Sequence, residues 1–199
     1  HGYEGWQLRF QPRGSSQSYS IIIGYWRAED DARERGFVEV LDSETRLVHR
    51  FGSNAVGLGR QGEALKIKIG NVVLTETSLR GSFETPQGAA VALDIDFTGC
   101  RHWGDPDSAS DRSTMGVSAR VPFIPVKWHV SHLDGAGEGQ LRIGPKRVTF
   151  RNARVHFEKN WGKAVPNQWI GLQANEFGPG TDVAFVAAGG PIMDWQASP

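Results

Sequence analysis

The sequence is poor in cysteine, in net charge and in long apolar runs. One cysteine, Cys100, stands alone in 199 residues. That excludes an intrachain disulfide and any zinc site built on several thiolates. The 22 Lys and Arg residues balance 22 Asp and Glu, so the formal net charge is zero. Such a chain lacks the basic footprint of a nucleic-acid binder and the basic cluster of a membrane-flanking segment. No apolar run approaches the ~20 residues that a membrane-spanning helix requires. No positively charged stretch leading into an apolar one opens the chain, so a signal peptide is not expected. The first residue is His1 rather than Met, which implies that something upstream was removed or left out. The expected location is cytoplasmic, with peripheral contact to a membrane left open.

Helix-forming sequence is scarce as well. Ala28–Arg35 (AEDDARER) is the one helix-friendly run, and it is too short and too polar for a core helix. It reads as a charged loop. Arg101–Gly116 is a second long irregular stretch, and loops of that length inside a compact domain are often functional. What the chain has instead is glycine, 25 residues, and tryptophan, 7 residues. Apolar and polar residues alternate strictly in Leu65–Ile69. Ala89, Val91, Leu93, Ile95 and Phe97 share one strand face, and Val148, Phe150, Val155 and Phe157 repeat the pattern. Period two predicts half-buried strands. Turn signals such as Gly70-Asn71, Pro86-Gln87-Gly88 and Gly144-Pro145 separate them. The expectation is a single all-β domain over residues 1–199, with about 12 short antiparallel strands. These would close into a β-barrel or pack as a two-sheet β-sandwich.

Three clusters stand out chemically. In the opening strand Glu4 shares a face with Trp6, Leu8 and Phe10. Burial there would favour a neutral carboxyl, able to donate a proton beside an aromatic ring. The plainer alternative pairs Glu4 with an arginine or with backbone groups at the strand end. The second cluster is His156–Gly162 (HFEKNWG), where Glu158, Asn160 and Trp161 lie just before a glycine expected to end or bend the strand. Those side chains either converge on a cavity mouth or form an ordinary charged strand end. In the third, Trp169, Gly171, Gln173 and Asn175 share a face, as a pocket wall or as a solvent face with one exposed tryptophan. His129 and His132, three apart, should face opposite sides of a strand and so not chelate together. The Asp105–Asp111 loop matches no calcium-loop spacing. Gly57-Leu58-Gly59 with Gly62 resembles a dinucleotide fingerprint in letters, but neither a strong strand nor a helix flanks it.

At these residues the chain resembles the tocopherol cyclase family. Tyr3-Glu4-Gly5-Trp6 matches its opening strand, and Glu158–Gly162 (EKNWG) is its central motif unbroken. Pro166, Trp169, Gln173 and Asn175 follow its Pro and Trp-x-Trp-x-Gln-x-Asn pattern, and Pro122–Trp128 echoes its Pro-to-Trp stretch. Ala187-Ala188-Gly189-Gly190 looks like its later glycine run. Two positions depart: Gln7 replaces an aromatic, and Gly171 replaces the second Trp, which would widen the pocket. Family members are about twice this length, so the chain resembles their N-terminal half. Either a homodimer or a missing second half is then expected. The resemblance implies a lipocalin-like barrel with an apolar cavity and a hydrophobic small-molecule substrate. It implies a ring closure in which an acid protonates a prenyl alkene and an oxygen traps the cation, with no metal and no redox cofactor. Glu4 and Glu158 become the candidate acids. Trp6, Trp128, Asn160, Trp161, Trp169, Gly171, Gln173 and Asn175 become the candidate substrate contacts. The competing expectations are a non-catalytic carrier of an isoprenoid or lipid, and a scaffold in a larger assembly.

Overall fold

Strand-forming alternation accounts for nearly all the regular structure. The computed structural model describes residues 2–27, 34–61, 64–104, 113–122, 124–166, 168–175, 177, 181, 183–190 and 195–197. The strands are β1 (Gly2–Gln11), β2 (Tyr19–Arg27), β3 (Glu34–Asp42), β4 (Leu47–Ser53), β5 (Val56–Gln61) and β6 (Ala64–Ile69). Then come β7 (Val72–Thr75), β8 (Ser78–Glu84), β9 (Ala90–Arg101), β10 (Val126–His132) and β11 (Asp134–Ile143). The last are β12 (Lys146–Gly162), β13 (Ala164–Pro166), β14 (Ile170–Ala174), β15 (Phe185–Gly189) and β16 (Trp195–Ala197). The one helical piece among the described residues is a 3₁₀ turn at Gly116–Arg120.

Twelve strands form one antiparallel sheet in the order β4-β3-β2-β1-β12-β11-β9-β8-β7-β6-β5, with β10 also on β12. The sheet curls until its ends approach. A Cβ on Gly36 of β3 would lie 2.6 Å from Ile69 of β6 and 2.9 Å from Val56 of β5, so only glycine lets β3 come this close. The result is a nearly closed barrel. Its interior is filled by Leu8, Phe10, Ile21, Ile23, Val38 and Val40, facing Leu74, Leu79, Ile95, Leu141 and Phe157, all essentially without solvent contact. Each such side chain contributes roughly 1.5–3 kcal/mol by burial.

β12 is the axis of the arrangement. Its first half pairs with β11 and its second half with β10, while β1 runs along its other edge from Arg154 to Gly162. Val148 and Phe157 therefore belong to one 17-residue strand rather than to two. Gly57-Leu58-Gly59 lies inside a strand, β5, paired with β6, in keeping with its dismissal as a dinucleotide fingerprint. One further expectation changes. A register shift between Val130 and His132 resets the alternation of β10, so His129 opposes Lys159 and His132 opposes Phe157, on the same face of β12. The alternation argument that separated the two histidines fails at this bulge. Of the run Ala28–Arg35 expected as a charged loop, residues 28–33 lie outside the described residues, while Glu34 and Arg35 are the first residues of strand β3, paired with β2; the 105–111 loop also lies outside them.

Candidate functional site

The sequence-predicted residues fall on the two faces of the β1–β12–β10 region. On the barrel-interior face, Trp6 stacks on Tyr25, and its neighbour across the pair is Lys159. The Lys159 ammonium lies 5.0 Å from the ring centroids of both Trp6 and Trp161, and its Nζ sits 2.6 Å from Glu4 Oε2. Glu4 is therefore ion-paired at the barrel mouth and a third exposed, not sequestered among rings. The partner is a lysine, rather than an arginine or the backbone groups of the strand end, and the register sets it opposite Trp6. Two indole faces and a carboxylate form a cage that accepts a cation.

The other face carries the second set. Glu158 is buried, and each of its oxygens is engaged. Trp128 Nε1 donates to Oε2 at 3.1 Å, His156 Nε2 lies 3.2 Å from the same oxygen, and Arg9 Nη2 lies 3.5 Å from Oε1. Burial alone would raise the carboxyl's pKa. The His156 hydrogen bond, the Arg9 charge and the Trp128 N–H outweigh it and hold Glu158 below the usual carboxylate range. His156 is wholly buried. Its Nδ1 lies 3.3 Å from the Leu133 carbonyl while its Nε2 faces the carboxylate. Asn160 sits in register opposite Trp128 and Gly5 on this face.

The β14–β15 hairpin covers the same face. Gln173 Oε1 accepts from Arg9 Nη1 at 3.0 Å, and Asn175 Nδ2 donates to Asp134 Oδ1 at 3.1 Å. Asp134 is in turn held by Arg154. The hairpin thus turns its amides toward the barrel and leaves Ile170 and Leu172 outward, 68% and 56% exposed. Trp169 precedes the strand and is 44% exposed; a Cβ on Gly171 would lie 3.4 Å from its indole nitrogen. Trp169 and Gly171 are brought together, but away from Glu158's ligands. A cavity of about 650 Å³ adjoins the cluster, bordered by Arg9, Gln173 and Asn175.

Gly162 explains why the central motif ends in glycine. A Cβ there would collide with the Pro125 carbonyl oxygen, which also accepts the Lys163 N–H at 2.9 Å. This approach seats β10, and with it Trp128, beside Glu158. Arg9, Lys159 and Asp134 were missed as site residues. Arg9 lies on the face of β1 opposite Glu4 and Trp6, and Asp134 opens β11, and no motif marks either one.

Among the described residues no three His, Cys, Asp or Glu side chains are placed to hold a metal ion, and no helix is long and apolar enough to cross a membrane.

Comparison with known proteins agrees with the motifs. The "Probable tocopherol cyclase, chloroplastic" of Oryza sativa subsp. japonica is 38% identical over 89 residues, 44% of this chain and 19% of that protein.

 Two solved structures share the fold. A protein described as an AttH from Nitrosomonas europaea superposes with a TM-score of 0.51 at 12% identity, over 87% of this chain and 56% of that one. CghA in complex with Sch210972 gives 0.50 at 13% identity, over 87% of this chain and 50% of that one. The chain thus spans about half the length of these structures and a smaller part of the rice protein. The family model for "Tocopherol cyclase-like" proteins matches residues 64–197, from β6 to β16. That stretch includes Trp128, Glu158–Gly162, Gln173 and Asn175, and the chain belongs to the tocopherol cyclase-like family.

Proposed function

We propose that this chain is a cyclase-type enzyme, or the part of one, that closes a ring on a hydrophobic prenylated or polyene substrate by protonating an alkene. The observation that carries the reading is the convergence on Glu158. Trp128, His156 and Arg9 reach its two oxygens, and Gln173 reaches Arg9, although these residues are spread from β1 to β14. The acid is Glu158, with His156 Nε2 3.2 Å from one of its oxygens. Protonation of the alkene leaves a tertiary cation, a substrate hydroxyl traps it, and the hydroxyl's proton returns to Glu158. Atoms balance, and the product is an isomer of the substrate.

The test is incubation of the purified protein with an ortho-prenylated phenol in D₂O. A ring-closed isomer carrying one solvent deuteron on carbon supports the reading. Retention of the phenol without turnover supports the other one, a non-catalytic carrier of an isoprenoid or lipid. One observation favours that alternative: both candidate carboxyls face cations, Glu4 with Lys159 and Glu158 with Arg9, so neither stands as a free neutral acid.

A further inference from the structure

The cavity of about 650 Å³ beside β1 reaches the turn between β3 and β4, and its lining charges are unequal. Arg9, Arg46 and Arg154 line it against a single carboxylate, Asp42. Asp42 shares the Lys146 ammonium with Glu44 of the same turn, at 2.6 Å and 2.7 Å. Arg9 and Arg154 are each held by a carboxylate, Glu158 and Asp134. Arg46 is not. Among the described residues its guanidinium makes no hydrogen bond or ion pair.

The backbone makes this arginine more notable. Arg46 closes the hairpin turn, its N–H donating to the Asp42 carbonyl at 2.8 Å, with a φ of 58°. Glycine or asparagine adopts that left-handed conformation with less strain. An arginine held there at a conformational cost, unpaired and at the edge of a cavity, points to a ligand for its side chain. Next to it Leu47 and Val48 also line the cavity and are more than half exposed, so an apolar surface adjoins the cationic one.

We infer that this cavity binds the anionic end of an amphiphile, a carboxylate or a phosphate monoester on an apolar chain. Arg46 pairs with the anion, and Leu47 and Val48 lie against the chain. A guanidinium offers two parallel N–H donors to either head group. The inference rests on the cavity and on Arg46, and it stands whether or not the chain catalyses a ring closure.

The experiment is calorimetric titration of the full chain with decanoate, decyl phosphate, decan-1-ol and inorganic phosphate, each below any micelle-forming concentration. One of the anionic amphiphiles should bind at least about ten-fold more tightly than the alcohol, the scale of a charge-assisted pair. Whichever of the two binds more tightly identifies the head group. Arg46→Gly should abolish that preference while melting no lower than the unchanged protein, because glycine suits the turn. Arg46→Lys, which keeps the charge and loses the fork, should retain part of it. Equal affinity for decanoate, decyl phosphate and the alcohol would overturn the inference, as would a preference that survives in Arg46→Gly. Binding of inorganic phosphate as tight as that of decyl phosphate would overturn the apolar half.

Discussion

Glu158 shows how a buried carboxylate is kept charged. Its desolvation is offset by one ring N–H, one indole N–H and one guanidinium, and the net effect lowers its pKa. Asp42 is lowered in the same direction, burial being outweighed by Lys146 and by the backbone N–H groups of the turn. His129 and His132 move down, chiefly by desolvation. The pH dependence of stability follows. A histidine whose folded pKa is depressed stabilises fully above its unfolded value of about 6.5, and that contribution is lost as pH falls toward the folded value. A depressed carboxyl stabilises fully above about 4 and fails only below it. The midpoint of urea unfolding should therefore decline in two stages, from near pH 6.5 and again below pH 4. The double variant His129→Gln, His132→Gln should flatten the first stage. A midpoint constant from pH 7 to pH 5 in the unchanged protein would show that these histidines are not held neutral. At this scale the sequence was legible where a motif marked the residue, as at Glu158 and Trp128. It was silent on Arg9, whose role depends on a contact with Gln173, 164 positions away.

Single glycines decide how the elements meet. At Gly162 the end of β12 passes against the Pro125 carbonyl, with no room for a Cβ. Gly162→Ala should cost about 1–3 kcal/mol, the usual scale of overpacking, and should separate Trp128 from Glu158. Thermal melting measures the first effect. Tryptophan fluorescence of this variant, set against that of Trp128→Phe, measures the second. An alanine variant with unchanged melting and unchanged fluorescence would mean that the approach of β10 to β12 is not fixed here. Strand periodicity located β6 and the core faces of β9 and β12, because half-buried strands write their faces as alternation. It failed at the β10 bulge, where one extra residue returns His132 to the face of His129. It was also insufficient for β14. Alternation correctly grouped Gln173 with Asn175, but only tertiary contacts show that these amides face the barrel while Ile170 and Leu172 face out.

At the scale of the whole molecule, period two predicted strands but left barrel and sandwich undecided. The difference lies in one contact between sheet ends, where β3 at Gly36 meets Ile69 and Val56, and no local pattern encodes it. Closure fills the interior with apolar side chains and leaves the polar cluster on the outer face of β1, β12 and β10, under the hairpin. The central claim is that this cluster, through Glu158, drives ring closure. The most direct measurement is the rate of solvent-deuteron incorporation into an ortho-prenylated phenol by Glu158→Gln and by the unchanged protein, with melting temperatures taken on both. Glu158→Gln should be ~10²–10⁴-fold slower in protein that remains folded. A folded Glu158→Gln variant that turns over at the rate of the unchanged protein would contradict it.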